Sequence, residues 1–227
     1  MSDTSSLTLG IIMDGNRRWA KAQGLPSLKG HEAGFEKVKA VIEWGIEAKV
    51  ANIIFYAFST ENWKRTEEEV LYLMTLIERG FRERMGDIVK LGVRVRVIGE
   101  RERFSKNLQQ IIFDVEEQSA VQKNITATFA LSYGGRRDIV QGVNTLIAGG
   151  AKEVTEGSLR GALWGSDIPD PDLIIRPGGE QRLSNFLLWQ GAYAELFFTD
   201  TLWPDFTKEE FSRILDEYHA RERRRGA

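Results

Sequence analysis

Apolar positions along the chain fall alternately into short runs and longer helical stripes. Residues 7–13 form an apolar run that stops at Asp14-Gly15-Asn16, and residues 52–58 form another that stops at Ser59-Thr60-Glu61-Asn62-Trp63. Short apolar runs closed by turn-prone polar residues read as buried strands. Between them, residues 30–49 place Phe35, Val38, Val41, Ile42 and Ile46 at helical spacing. A long amphipathic helix is predicted over 66–91, its apolar face running through Val70, Leu73, Met74, Ile77, Phe81, Met85 and Ile88. Thr66 and Glu69 have the spacing of a capping box at its start. The alternation then continues with a strand over 93–98, a helix over 101–121, a strand over 125–131 and a helix over 136–147. Strands over 172–175 and 194–198 and a helix over 207–221 complete it. Residues 148–157 read as a surface turn.

This order predicts an α/β fold: a single domain over 1–227 with a central, mainly parallel sheet flanked by helices on both faces. In open sheets of this kind ligands bind beyond the carboxyl ends of the strands. Three polar loops follow strands, at 14–18, 59–65 and 176–184. A parallel sheet would gather all three on one edge.

Composition narrows the chemistry. Lys plus Arg number 31 and Asp plus Glu 33, so no overall positive charge draws the chain to nucleic acid. Any anion site has to be built locally. There are no cysteines and only His31 and His219, which excludes thiolate metal sites and disfavours a histidine-rich zinc site. The first ten residues are polar and unlike a signal peptide, and no uncharged run reaches the roughly 18 residues of a membrane helix. A cytoplasmic protein is expected, one still able to touch a membrane surface.

The loops supply that local chemistry. The first offers Asp14, the turn-prone Gly15 and Asn16, and Arg17 and Arg18. Asp14 can serve a hard cation such as Mg²⁺, which takes one or two carboxylates together with phosphate oxygens. Alone, this loop reads equally well as a strand-to-helix turn with a solvated aspartate. The third loop is more telling: Arg176 and Arg182 flank Gly178-Gly179, with Ser184 beyond. Guanidinium groups grip phosphate in bidentate fashion. The alternative is a surface loop whose arginines pair with Glu180 and Asp172. The second loop adds Asn62, Trp63 and Arg65, with Trp63 suited to the mouth of an apolar channel.

Taken together these segments resemble the cis-prenyltransferase family, and within it the bacterial undecaprenyl diphosphate synthases. The resemblance rests on Ile-Met-Asp-Gly-Asn-Arg-Arg-Trp-Ala at 12–20, Gly-His-Glu-Ala-Gly at 30–34, Tyr-Ala-Phe-Ser-Thr-Glu-Asn-Trp-Lys-Arg at 56–65 and Tyr-Gly-Gly-Arg-Arg-Asp-Ile-Val at 133–140. It continues through Asp-Leu-Ile-Ile-Arg at 172–176, Glu-Gln-Arg-Leu-Ser-Asn-Phe-Leu-Leu-Trp-Gln at 180–190 and the stretch 192–206. It implies an undecaprenyl-diphosphate-synthase-like fold with an apolar tunnel, a homodimer, and repeated condensation of isopentenyl diphosphate with an allylic diphosphate such as farnesyl diphosphate. The product implied is a cis-polyprenyl diphosphate such as undecaprenyl diphosphate.

By the same resemblance Asp14 holds Mg²⁺, and Gly15, Asn16 and Arg18 bind the allylic diphosphate with His31 nearby. Arg176, Arg182 and Ser184 hold isopentenyl diphosphate, and Glu195 supports that site and its metal at the dimer interface. Asn62 and Arg65 stand as catalytic-loop residues. Arg17, Trp19, Ser59, Glu61 and Trp63 complete the implied substrate contacts, and Arg224-Arg225-Gly226 matches an element that reaches a partner subunit. The tunnel walls are expected from 66–91 and 125–131, with Ile125 near the floor.

Two positions depart from the family pattern. Ser27 stands where an arginine is usual, and Pro177 removes a backbone N–H from the third loop. Weaker allylic diphosphate binding, or a changed allylic preference, is the expected result. Two competing readings remain: a non-catalytic homologue that binds lipid diphosphate or scaffolds a partner, and a phosphatase with a nucleophilic aspartate. The first has no need of Asp14, Arg176, Arg182, Ser184 and Glu195 together. The second lacks its usual second carboxylate two residues beyond Asp14.

Overall fold

A computed structural model of the chain describes residues 7–221. Six strands form one sheet: β1 (Thr8–Ile12), β2 (Asn52–Ser59), β3 (Val93–Ile98), β4 (Ile125–Tyr133), β5 (Leu173–Pro177) and β6 (Glu195–Thr199). Their order across the sheet is β3-β4-β2-β1-β5-β6, and every pairing is parallel. Helices connect them: α1 (Asn16–Ala22), α2 (Ser27–Glu47), α3 (Glu67–Glu83), α4 (Met85–Lys90), α5 (Lys106–Ser119), α6 (Gly135–Ala148), α7 (Glu156–Ala162) and α8 (Lys208–Ala220).

Successive strand residues point to opposite faces, and each face has its own core. Leu9, Ile11, Ile53, Phe55, Val95, Phe129 and Ile175 join one cluster with residues of α2, α3, α4, α5 and α8. Ile12, Ile54, Ile98, Ala130 and Ile174 pack on the other face with Ile168, Phe186 and Leu187. Both faces are covered, which is why β1 and β5 are buried at every position.

The chain leaves β1 toward β2 on one side, while β5 and β6 lie on the other. The sheet order therefore reverses between β1 and β5, and the loops there diverge to leave a crevice. The three polar loops do gather at this edge.

Several elements differ from the sequence expectation. The helix foreseen over 66–91 is broken at Arg84 into α3 and α4. Only half of its capping box forms: Thr66 accepts from the Glu69 N–H, but the Glu69 carboxylate turns to His31 and Arg65. The helix foreseen over 101–121 opens with a 3₁₀ turn at Arg101–Arg103, and α5 restarts on the Ser105 cap. The first polar loop is shorter than expected, since α1 begins at Asn16, and α7 was not anticipated. Arg224-Arg225-Gly226 lies outside the described residues. No described helix is long and apolar enough to cross a membrane.

Candidate active site

The β1 half of the crevice turns on Gly15, whose φ of 100° lies in the left-handed region. A side chain there would be strained and would also strike Leu202. The turn points Asp14 into the crevice. Its Oδ1 accepts from the Gly15 N–H at 2.6 Å and lies 3.5 Å from Arg18. The Gly15 amide is thus committed to Asp14. Helix α2 presses on this turn because Gly34 has no side chain: a methyl group at that position would overlap the Asn16 amide. Asn16 donates to the Met13 carbonyl at 3.2 Å, while its buried Oδ1 has no partner.

The β5 half is built around Arg176, which is only 3% exposed. Its guanidinium donates to Asp14 Oδ2 at 2.8 Å, to Ser184 Oγ at 2.8 Å and to the Arg182 carbonyl. Its Nε is buried without an acceptor. Arg182 pairs with Glu180, as the surface-loop alternative had it, but Arg176 reaches across the crevice rather than to Asp172. The Arg176 charge thus lies in the wall of the crevice beside Asp14.

Between these halves lie residues of α2 and of the turn after β2. His31 Nε2 is 3.4 Å from Glu69, which also pairs with Arg65 at 2.8 Å and, more loosely, with Arg17 at 3.9 Å. Burial, with help from the nearby Arg65 charge, holds the His31 imidazole below its ordinary value, so it is neutral at pH 7. Burial works to raise Glu69, but Arg65 and Arg17 outweigh it and the carboxylate stays ionised. Asn62 accepts from the Ser59 N–H at 2.9 Å and caps the 3₁₀ turn Thr60–Lys64. Tyr56 is pushed up by burial first and by the Glu61 charge second, so its hydroxyl remains protonated and donates to the Tyr133 carbonyl.

Three connected cavities result. One of about 840 Å³ is lined by Asp14, Arg17, Arg18, Lys21, Ser27 and Arg65 among others. A second of about 550 Å³ is lined by Asp14, Ser59, Glu61, Asn62, Arg176 and Ser184, with Arg182 at its side. Met13, Asn16 and His31 border both, and also the mouth of a narrow third cavity of about 80 Å³. That third cavity is walled by Phe35 and Val38 of α2, Leu73 and Phe81 of α3, and Phe129 and Leu131 of β4. Two cationic basins therefore meet at Asp14, and both share Met13, Asn16 and His31 with a small apolar cavity.

The structure corrects several sequence expectations. Trp19 does not line these cavities; its indole N–H donates to Asp205 at 2.7 Å and ties α1 to the segment after β6. Trp63 packs edge-on to Phe58, under Arg103, and donates to Ser132 Oγ at 2.9 Å, so it braces the loop rather than facing the channel. Ile125 is buried at the far end of β4, away from the channel lining. Glu195 opens β6 level with Leu173, which in turn is level with Leu9 of β1. It pairs with Arg221 at 2.6 Å on the opposite edge of the sheet from Asp14. Within one chain Asp14 and Glu195 therefore lie at opposite ends of the strands.

Other contributors escaped the sequence reading. Lys21, one helical turn from Arg17, lines the larger basin beside Ser27, so the basin keeps four cationic side chains despite the missing arginine. Glu69 is the shared partner of three basic side chains. Asn185 lines the second basin next to Ser184. The spacing of Arg17 and Lys21 was the available signal for Lys21; Glu69 had been assigned to capping.

The fit of a divalent cation follows from the donor set. No cluster of three or more acidic, histidine or cysteine side chains exists among the described residues. Asp14 supplies one carboxylate at the meeting of the two basins. This suits a hard cation that keeps its waters and is held jointly by Asp14 and a bound diphosphate. A cage made of protein alone would not form here.

Comparison with known proteins follows the same outline. The family model described as "Putative undecaprenyl diphosphate synthase" matches residues 12–226. The isoprenyl transferase of Aquifex aeolicus is 46% identical over 218 residues, covering 96% of this chain and 94% of its own. That of Thermotoga maritima is 45% identical over 222 residues, covering 96% and 95%. The crystal structure of lavandulyl diphosphate synthase from Lavandula x intermedia with dimethylallyl diphosphate superposes with a TM-score of 0.91 at 32% identity, covering 97% of this chain and 98% of that one. A Campylobacter jejuni structure described as "a probable undecaprenyl diphosphate synthase" gives 0.84 at 35% identity, with complete coverage of both chains.

Proposed function

The chain belongs to the undecaprenyl diphosphate synthase family and is a prenyltransferase, and from that premise we propose that it condenses isopentenyl diphosphate repeatedly with an allylic diphosphate, farnesyl diphosphate in the first instance, in a Mg²⁺-dependent reaction. The observation that carries this reading is the meeting of two cationic basins at Asp14 over an apolar channel. One basin suits each diphosphate, and the channel suits the growing hydrocarbon.

Each step has a residue to serve it. Arg17, Arg18 and Lys21 attract the allylic diphosphate to the larger basin, whose opening admits the ionic head while the hydrocarbon enters the channel. Arg176 and Ser184 hold the isopentenyl diphosphate, Arg176 through its guanidinium and Ser184 through its hydroxyl, with Arg182 at the rim. The allylic carbon–oxygen bond breaks with its electron pair leaving on the diphosphate. The isopentenyl double bond supplies the pair for the new carbon–carbon bond, and a proton passes from the isopentenyl unit to the released diphosphate to regenerate an alkene. Mg²⁺ at Asp14 would stabilise the negative charge gathering on the departing diphosphate. His31, neutral and nine-tenths buried at the channel mouth, donates or accepts a hydrogen bond there without adding a second buried charge.

Two finer points extend the proposal. Glu195 and the edge strand β6 favour a homodimer, because that carboxylate reaches a diphosphate site only across a subunit interface. Leu196 at 37% and Tyr193 at 82% exposure offer apolar surface for it. The third cavity is too small for a polyprenyl chain. The Phe35 ring occupies the place a side chain at Gly80 would take, so α2 and α3 must part there as the product lengthens, to whatever length the channel then admits. A long apolar product is best released by transient contact with a membrane surface.

The test is incubation with labelled isopentenyl diphosphate, farnesyl diphosphate and Mg²⁺, with products sized by chromatography. Label entering a ladder of longer allylic products is expected, and none without the metal. A folded protein that incorporates no label would overturn the reading.

A further inference from the structure

Asn185 is the residue at which three parts of the site are joined. Its side-chain N–H donates to Glu61 Oε1 at 2.9 Å, on the turn that carries Asn62 and Trp63. Its side-chain oxygen accepts from the Arg136 N–H at 2.9 Å, and its backbone carbonyl accepts from the Gly135 N–H at 2.7 Å, both in the first turn of α6. The next residue back is Ser184, whose hydroxyl meets Arg176. Both are left-handed, with φ of 50° at Ser184 and 70° at Asn185. Asparagine tolerates that conformation and serine far less, so Ser184 keeps its place because Asn185 is fixed on either side. The fit is tight: a methyl group at Gly134 would strike both the Asn185 amide and the Thr60 hydroxyl. Glu61 is held as an ionised acceptor, since hydrogen bonds led by that from Asn185 outweigh the effect of burial.

An amide has one end that donates and one that accepts. Here the accepting end is anchored to the first turn of α6 and the donating end to the 3₁₀ turn after β2. We propose that Asn185 is a positioning residue that couples the isopentenyl-side loop, through Ser184, to the turn after β2, through Glu61, so that the two are held in register around the isopentenyl basin as one unit. The inference rests on the prenyl-transfer reading above.

The two ends of the amide allow a clean test. Asn185→Asp keeps the acceptor for α6 but loses the donor to Glu61 and sets two carboxylates face to face. Glu61→Gln supplies a new donor in the opposite direction. Asn185→Asp in the unmodified chain should raise the KM for isopentenyl diphosphate about tenfold and lower kcat, with the KM for the allylic substrate changed about twofold or less. In a Glu61→Gln background the same substitution should change the isopentenyl KM about twofold or less, because the exchanged pair bonds again. Equal effects in both backgrounds, or equal effects on both KM values, would overturn the coupling. Should Asn185→Asp fail to fold, judged by its thermal midpoint, Asn185→Gly keeps the left-handed backbone and removes both ends. An unchanged isopentenyl KM there would likewise overturn it. Absence of turnover in the unmodified chain would bring down the reaction assignment together with the coupling, whereas turnover with additive effects brings down the coupling alone.

Discussion

The two halves of the crevice carry the same kinds of groups and use them differently. In the β5 half, Arg176 is buried, its guanidinium shared among Asp14, Ser184 and a carbonyl before any substrate arrives. In the β1 half, Arg17 and Arg18 are 59% and 48% exposed and their ion pairs are long, at 3.9 and 3.5 Å. Exposed pairs at such distances contribute little. The β5 half is therefore a preset receptor, and the β1 half a loose cationic field that orders around its ligand. A substrate that enters once and then changes at every cycle suits the looser half. One that enters identically at each cycle suits the preset one.

The sharpest way to break this contrast is at the residue both halves share. Asp14→Ala should lower kcat by about 10²–10³-fold while the protein stays folded, as measured by label incorporation and circular dichroism; retained turnover would remove Asp14 from the chemistry. Next comes Arg176→Lys, which keeps the charge but not the planar fork. It should raise the KM for isopentenyl diphosphate by about tenfold or more, far more than Arg18→Lys does for the allylic KM. Comparable effects would mean that the halves are not preset and loose after all. A smaller effect is expected from Ser27→Arg. Because Lys21 already lines that basin, the allylic KM should fall by only about threefold, one exposed charge-assisted contact; an unchanged or higher value would count against a cationic role for the position.

The smallest effect concerns His31, which stands between the halves. Burial, helped by the Arg65 charge, holds its folded value below that of an ordinary imidazole, so the folded state favours the neutral ring. Stability is then held above about pH 6.5 and lost as pH falls through the folded value. Denaturant midpoints measured from about pH 7.5 down to 5.5 should decline more steeply for the unmodified protein than for His31→Gln. Parallel declines would argue against a buried neutral imidazole.

How much of this could be read in advance varies with the range of the interaction. The strands were legible, because a parallel sheet covered on both faces needs near-continuous apolar runs, as at 7–13 and 52–58. Their shared edge followed from topology. Asp14, Arg176, Arg182 and Ser184 stood out in the sequence because they lie at or just beyond the carboxyl ends of two predicted strands, and the structure brings them to the wall of one cavity. Trp19 and Trp63 are found away from the cavity walls; an indole beside polar residues looks the same in sequence whether it faces a channel or ties two loops together. Glu195 was placed at the site by resemblance, and only the register of β5 with β6 shows it on the far edge of its own chain. Asn185 and Lys21 were missed because their roles depend on partners 124 residues away in one case and on a cavity wall in the other. The break at Arg84 and helix α7 left no clear mark in the hydrophobic pattern.

The bond between Arg176 and Asp14 also governs what happens when only one ligand is at hand. The Asp14 carboxylate has a tethered counter-ion in Arg176, present at a local concentration no dissolved ion can match. A divalent cation arriving alone competes with it and gains little. A diphosphate draws the guanidinium to itself and frees the carboxylate, so each of the two raises the affinity for the other by the same factor. Titrations of either component should therefore look weak by themselves and cooperative in company.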